Sequence, residues 1–213
     1  MISPERLDLM QRGWQRLVAP FGGDPATVYA PFDALVTAYQ EPHRQYHTLE
    51  HVAEVLRVVP RLLPTDIDSR PVLLAAWFHD AVYNPRAADN EARSADLAEK
   101  LLPGVGVPTD VAGEVRRLVM ATAHAGVAPP DPAAVALIDS DLAILGASPV
   151  RYRRYAAAIR AEYAHVPDAD YRVGRARVLQ RFLDRPAIYR HPLMRAEGEA
   201  AARANMAAEL AGL

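Results

Sequence analysis

Three stretches of this chain start with the same two-residue device, and it recurs at the head of apolar runs with helical spacing. "DPATVYAPFDALVTAY" opens on Asp24 and Pro25, "DPAAVALIDSDLAILG" on Asp131 and Pro132, and "SPVRYRRYAAAIRAEYA" on Ser148 and Pro149. A short polar side chain can accept a free amide at a helix start. Proline at the first helical position loses no bond, because its missing N–H would have been unsatisfied anyway. Further helical windows are predicted near residues 4–18, 48–63, 70–83, 90–102, 110–124, 170–184 and 194–210, with Leu97, Leu101, Leu118 and Val119 at three- and four-residue spacing. Pro31 is placed to kink the second helix, and Gly146 to end a later one in the left-handed conformation. No segment alternates apolar and polar residues between hairpin turns, so strands are not expected. Short connections rich in Pro, Gly and Asp ("APFGGDP", "PGVGVPTD", "AGVAPPDP") do not resemble flexible linkers. The reading is an all-α chain of about nine or ten helices forming a single domain over 1–213, with its site core at about 40–165 and the C-terminal helices packed on it.

Composition narrows the function. A net charge of −2 gives no electrostatic reason for nucleic acid or an anionic membrane to be the main partner. Without cysteine, disulfides and thiolate-bound metals are excluded, and any metal must be held by His, Asp, Glu, backbone or water. The N-terminal stretch lacks the apolar core of a signal peptide, and no apolar run reaches the ~18–20 residues of a spanning helix. A cytoplasmic protein is expected. The basic residues are nearly all arginine, Lys100 being the one lysine, so an arginine is weak evidence of phosphate recognition.

Four groups carry the chemistry: His47 and His51 in "YHTLEH", His79 and Asp80 in "WFHDAVYNP", His124 in "ATAHAG", and Asp139 and Asp141 in "LIDSDLAILG". His79 and Asp80 end an eight-residue apolar run. Burying an ionised carboxylate costs several kcal/mol unless it is compensated, and a divalent cation compensates well. The competing reading is an exposed helix end that meets water. His47 and His51 share a helix face if that helix begins near Tyr46. Thr48 stands where the two-histidine zinc signature has a glutamate, so that signature is not matched. Asp139 and Asp141 point in different directions on a helix, so at most one faces a site; Asp139 is otherwise a cap, a partner to a ligating histidine, or solvated.

The order of these groups resembles the HD-domain superfamily of metal-dependent phosphohydrolases, and Tyr46 to His51 resembles the tyrosine-histidine stretch of the related cyclic-nucleotide phosphodiesterases. More narrowly, the likeness is to a bacterial branch of predicted HD phosphohydrolases. It runs from "EPHRQYHTLEHV" through "FHDAVYNP", "DNEARSA" and "DSDLAILG" to "IRAEY" and "ARANMAAEL", roughly residues 40–210. The resemblance implies His51, His79, Asp80 and Asp141 as metal ligands and His47 as general acid. Alignment of "SDLAIL" with the family pattern selects Asp141 over Asp139. Where dinuclear members carry a further histidine, "DNEARSA" has Asn90 and Glu91. One divalent ion (Mn, Fe, Co, Ni, Zn or Mg) is therefore expected, with any second ion weaker. Residues 81–83 lack the acid that some members place after His-Asp, which leaves Glu91 as the first candidate for general base.

A shell of two imidazoles and two carboxylates suits a borderline or hard divalent ion and leaves positions for water and substrate. The expected reaction is hydrolysis of a phosphate ester or anhydride of a small phosphorylated metabolite, nucleotide-like in type. Arg44, His124, Arg160 and Tyr163 are the substrate-side candidates, since a guanidinium grips phosphate through two parallel hydrogen bonds. Arg203 and Asn205 read equally well as ties for the last helix, and a homodimer is left open. Two rivals share the scaffold: a non-enzymatic nucleotide or metal sensor, and a di-iron oxygenase.

Overall fold

Ser3 accepts the Arg6 amide at 3.3 Å and Pro4 takes the first helical position, which starts α1 (Pro4–Val18). The computed structural model describes residues 2–24, 26–123 and 131–213; Pro25 and His124 lie outside the described residues. There the chain continues through α2 (Ala30–Tyr39), α3 (Leu49–Leu62), α4 (Ser69–Phe78), α5 (Asn90–Leu101), α6 (Thr109–Ala121), α7 (Pro132–Asp141), α8 (Pro149–Glu162), α9 (Asp168–Leu183) and α10 (Pro192–Gly212). The described residues are all-helical, with ten α-helices and no strand. No single helix among them is long and apolar enough to cross a membrane.

Local details depart from the sequence expectations at four places. Asp24 caps a turn, its carboxylate accepting the Ala26 amide at 2.8 Å, and the helix itself starts at Ala30. Pro31 thus sits in a first turn, where it breaks no hydrogen bond, and it kinks nothing. Ser148 precedes Pro149 as foreseen, but its hydroxyl makes no capping bond. Gly146 is not left-handed: among the described glycines, positive φ belongs to Gly22 and Gly106. The helix instead tightens into a 3-10 segment, Leu142–Gly146. A Cβ on Gly146 would meet the Tyr189 hydroxyl at 2.9 Å and the Gly198 Cα at 3.0 Å, so close packing is what requires glycine there.

Contacts group the chain into two compact units, Met1–Ile138 and Asp139–Leu213, divided within α7. In the first unit, α3, α4, α5 and α6 pack in succession, with α1 also against α4. Trp14, Trp77, Phe32 and Phe78 fill its centre, Trp77 meeting Trp14 and Phe32 edge-on at 5.7 Å. The polar handles are satisfied: Trp14 Nε1 donates to the Val28 carbonyl and the Tyr39 hydroxyl to the Trp77 carbonyl, both at 2.9 Å. Gly106 (φ +81°) lies against the Phe21–Gly23 backbone, where a Cβ would come within 2.6 Å of the Gly23 nitrogen.

In the second unit, α10 packs on the Leu142–Gly146 segment and on α9. Asn205 donates to the Leu145 and Ala147 carbonyls, both at 2.8 Å, and Arg203 to those of Leu183 and Arg185. Glu199 accepts the Ile188 and Tyr189 amides. These bonds supply partners for main-chain groups at the end of the 3-10 segment and in the irregular stretch 184–191.

Candidate metal centre

α4 ends at Phe78, five residues before the predicted end of that window, and this places the His-Asp pair at the helix terminus. His79 is the C-cap and is 1% exposed. Its Nδ1 lies 2.9 Å from the Ala76 carbonyl, which can only accept, so Nδ1 carries a hydrogen and Nε2 is the nitrogen left to face a ligand. That Nε2 is 3.1 Å from Nε2 of His51, which is 3% exposed on the first turn of α3. Asp80 Oδ2 is 3.2 Å from Nε2 of His79 and 3.7 Å from that of His51.

These separations suit a shared cation. With metal–ligand bonds of about 2.1 Å, two donors at a right angle stand ~3.0 Å apart, and at a tetrahedral angle ~3.4 Å. Asp141, the last residue of α7, belongs to the same set: one ligand atom from each of His51, His79, Asp80 and Asp141 lies within 4.8 Å of the others. Two buried imidazoles and two half-buried carboxylates form a mixed nitrogen and oxygen donor set of the kind that holds a divalent ion.

His47 is not on the helix with His51, because α3 begins only at Leu49 with Thr48 as its N-cap. The ring is nevertheless close, 6.0 Å from that of His51 between centroids, and it packs at 4.2 Å against Tyr83 and at 5.1 Å against Tyr46. The two histidines meet through the fold of the chain, not through helical register.

Asp139 has a different task. It is fully buried, and its carboxylate accepts the Arg190 amide at 2.8 Å and the His191 amide at 2.6 Å, tying α7 to the segment before α10. Burial raises its pKa, and the His191 and Arg190 amides pull against that rise without reversing it.

The substrate-side assignments are redistributed. Arg44 has a wholly buried side chain whose donors go to Glu41 and to main-chain carbonyls, so it is no free phosphate clamp. Arg160 binds the Asp168 carboxylate and the Tyr163 and Val166 carbonyls, closing the end of α8. Arg160 also lines a cavity of about 570 Å³ with Tyr152, Arg153, Tyr171, Arg172 and Glu209. Tyr163 stacks near His165 and Tyr171. Glu91 lies in the first turn of α5 and is not in the four-residue set. Asn90, standing where a further ligand was sought, has both side-chain groups on the Asn84 main chain. His124 lies outside the described residues.

Sequence reasoning passed over Arg175 and the two residues it joins, Glu209 and Tyr155. Arg175 on α9, 9% exposed, binds Glu209 at 2.7 and 3.0 Å and reaches the Tyr155 hydroxyl at 3.5 Å. Burial raises the Tyr155 pKa; Arg175 lowers it, and the charge of Asp141 is among the influences that raise it. Nothing in a chain so rich in arginine marks Arg175 in advance.

Fold and site together define an all-helical protein with a His/Asp cluster that could hold a metal ion. No protein-family model, curated protein or solved structure matches the chain.

Proposed function

We propose that the chain is a divalent-metal-dependent hydrolase of the HD type, acting on a phosphate ester or anhydride of a small, nucleotide-like metabolite. One observation carries the reading: four residues from three separate segments each bring a ligand atom within 4.8 Å of the others, and His79 has its tautomer fixed for ligation. His51, His79, Asp80 and Asp141 hold the ion. The chemistry such an ion supplies is a lowered pKa for bound water and neutralisation of phosphoryl charge. His47, held between Tyr46 and Tyr83, is placed to deliver a proton to the leaving oxygen, a role that suits an imidazole near neutral pH. Glu91 stays the candidate base on sequence grounds alone. Of the rivals, the di-iron oxygenase is disfavoured by Asn90, whose amide is occupied with Asn84.

The test is phosphate release from a panel of phosphorylated metabolites with Mn, Fe, Co, Ni, Zn and Mg in turn, by wild type and Asp80→Ala side by side. Metal-dependent turnover by wild type, lost by at least a hundredfold in the variant, is expected. Equal turnover by both proteins removes Asp80 from the site. Tight nucleotide binding without turnover under any metal would make the protein a sensor.

A further inference from the structure

The residues after α4 form no helix, yet each carbonyl from Asp80 to Asn84 is taken by a side chain. Arg44 donates to Asp80 at 2.7 Å and to Ala81 at 3.0 Å. The Ser94 hydroxyl donates to the Val82 carbonyl at 3.2 Å and accepts the Val82 amide at 3.0 Å. His43 Nε2 is 2.8 Å from the Tyr83 carbonyl, and Asn90 exchanges two bonds with the Asn84 main chain. Arg44 makes a further bond, from the same nitrogen that serves Asp80, to the His47 carbonyl at 3.3 Å. One guanidinium therefore joins the main chains of the candidate acid and of a ligand carboxylate. Tyr39 and Tyr83 cover it, with ring centroids 5.0 and 5.5 Å away.

We infer that Arg44 is a positioning residue: it holds the Asp80 turn and the His47 segment in the one relation that lets Asp80 share an ion with His51 and His79. The inference rests on the metal-site reading proposed above. A buried cation is a poor source of stability, since well-packed apolar residues in its place are often as good or better. What it offers instead is geometry. A planar fork serves two adjacent carbonyls and a third across the gap, which a point-charge ammonium on a flexible stem cannot do.

The test reads metal binding without turnover. Metal-free wild type, Arg44→Lys, Arg44→Ala and the core variant Val115→Ala are titrated with Co(II), following its visible absorption, after circular dichroism has established that each is folded. Val115 lies on α6, wholly buried and outside the site, and controls for lost stability. Both Arg44 variants are expected to bind Co(II) about 10–100-fold more weakly, with altered band shape, while Val115→Ala binds within twofold of wild type. If Arg44→Ala does not fold, Arg44→Lys alone decides. Wild-type affinity and spectrum in a folded Arg44 variant overturn the positioning role, as does equal weakening in Val115→Ala. Absence of Co(II) binding by wild type itself is the distinct signature of a failed metal reading, and the inference falls with it.

Discussion

Replacing Asp139 with asparagine separates the two aspartates of "DSDLAILG" by what each one holds. The Asp139 carboxylate is wholly buried and takes the Arg190 amide on both oxygens, at 3.1 and 2.8 Å, and the His191 amide at 2.6 Å. Oδ2 alone serves both amides, so asparagine with its oxygen there still meets both, but its NH2 replaces the oxygen 3.1 Å from the Arg190 amide and sets donor against donor. A hydrogen bond to a charged group is worth roughly 1.5–3 kcal/mol, and a stranded buried donor costs roughly 1–3 kcal/mol. Asp139→Asn should therefore destabilise by about 2–4 kcal/mol, because the bonds to both amides lose their charged acceptor and a buried NH2 is left facing the Arg190 amide. At this chain length that is a fall in Tm of roughly 4–16 °C. Net burial raises the folded pKa of Asp139, so its contribution is full below the ordinary value of 3.8 and declines as pH rises through the folded value. Measurement at pH 7 thus samples the smallest difference from the variant. Urea unfolding by circular dichroism supplies the stability, and Co(II) titration of the same samples supplies the affinity. Asp139→Asn should bind Co(II) like wild type, whereas Asp141→Asn should lose binding. A stable Asp139→Asn that no longer takes the ion would exchange the two assignments and refute the reasoning.

Three other substitutions probe the frame. Gly106→Ala should cost more than about 2 kcal/mol, for it adds a Cβ at positive φ against the Gly23 backbone, and thermal melts should show Gly104→Ala, which meets open space, within about 1 kcal/mol of wild type. Glu209→Ala strands the buried Arg175 guanidinium and the Tyr152 hydroxyl; denaturation should reveal a loss of about 3–5 kcal/mol, and substantially less in a double variant with Arg175→Met. Glu199 has its pKa lowered: burial works upward, but the Ile188 and Tyr189 amides and Arg203 outweigh it. Its stabilisation is therefore present above the ordinary value of 4.5 and lost as pH falls through the folded value, so the gap between wild type and Glu199→Gln should close on acidification.

How far the sequence could be read depended on the range of the interactions involved. Start signals that act within one turn were legible, as at Ser3 with Pro4 and at Asp131, whose carboxylate accepts the Ala133 amide at 3.0 Å. Gly146 misled because its constraint comes from Gly198 and Tyr189, some fifty residues away, and not from local backbone. The window 70–83 ran too long for a similar reason. Ala81, Val82 and Tyr83 continue the apolar run, but the carbonyls of residues 80–84 find partners in Arg44, Ser94, His43 and Asn90. The four-residue set was legible through the order of its groups and the resemblance that order carries, which also picked Asp141 over Asp139 where the residues alone left both open. For Arg44, "EPHRQYH" shows a cation beside His47 without showing that carbonyls 36 and 37 residues later absorb it.

The end of α4 carries a consequence for any change made nearby. In a longer helix the Ala76 carbonyl would receive the amide of residue 80; here it receives the His79 ring instead. Helix propagation and imidazole orientation thus compete for a single oxygen atom. Sequence changes just past His79 that favour another helical turn would withdraw the ring's anchor while leaving all four donors in the chain, so the aim of the site can be lost through backbone preference alone.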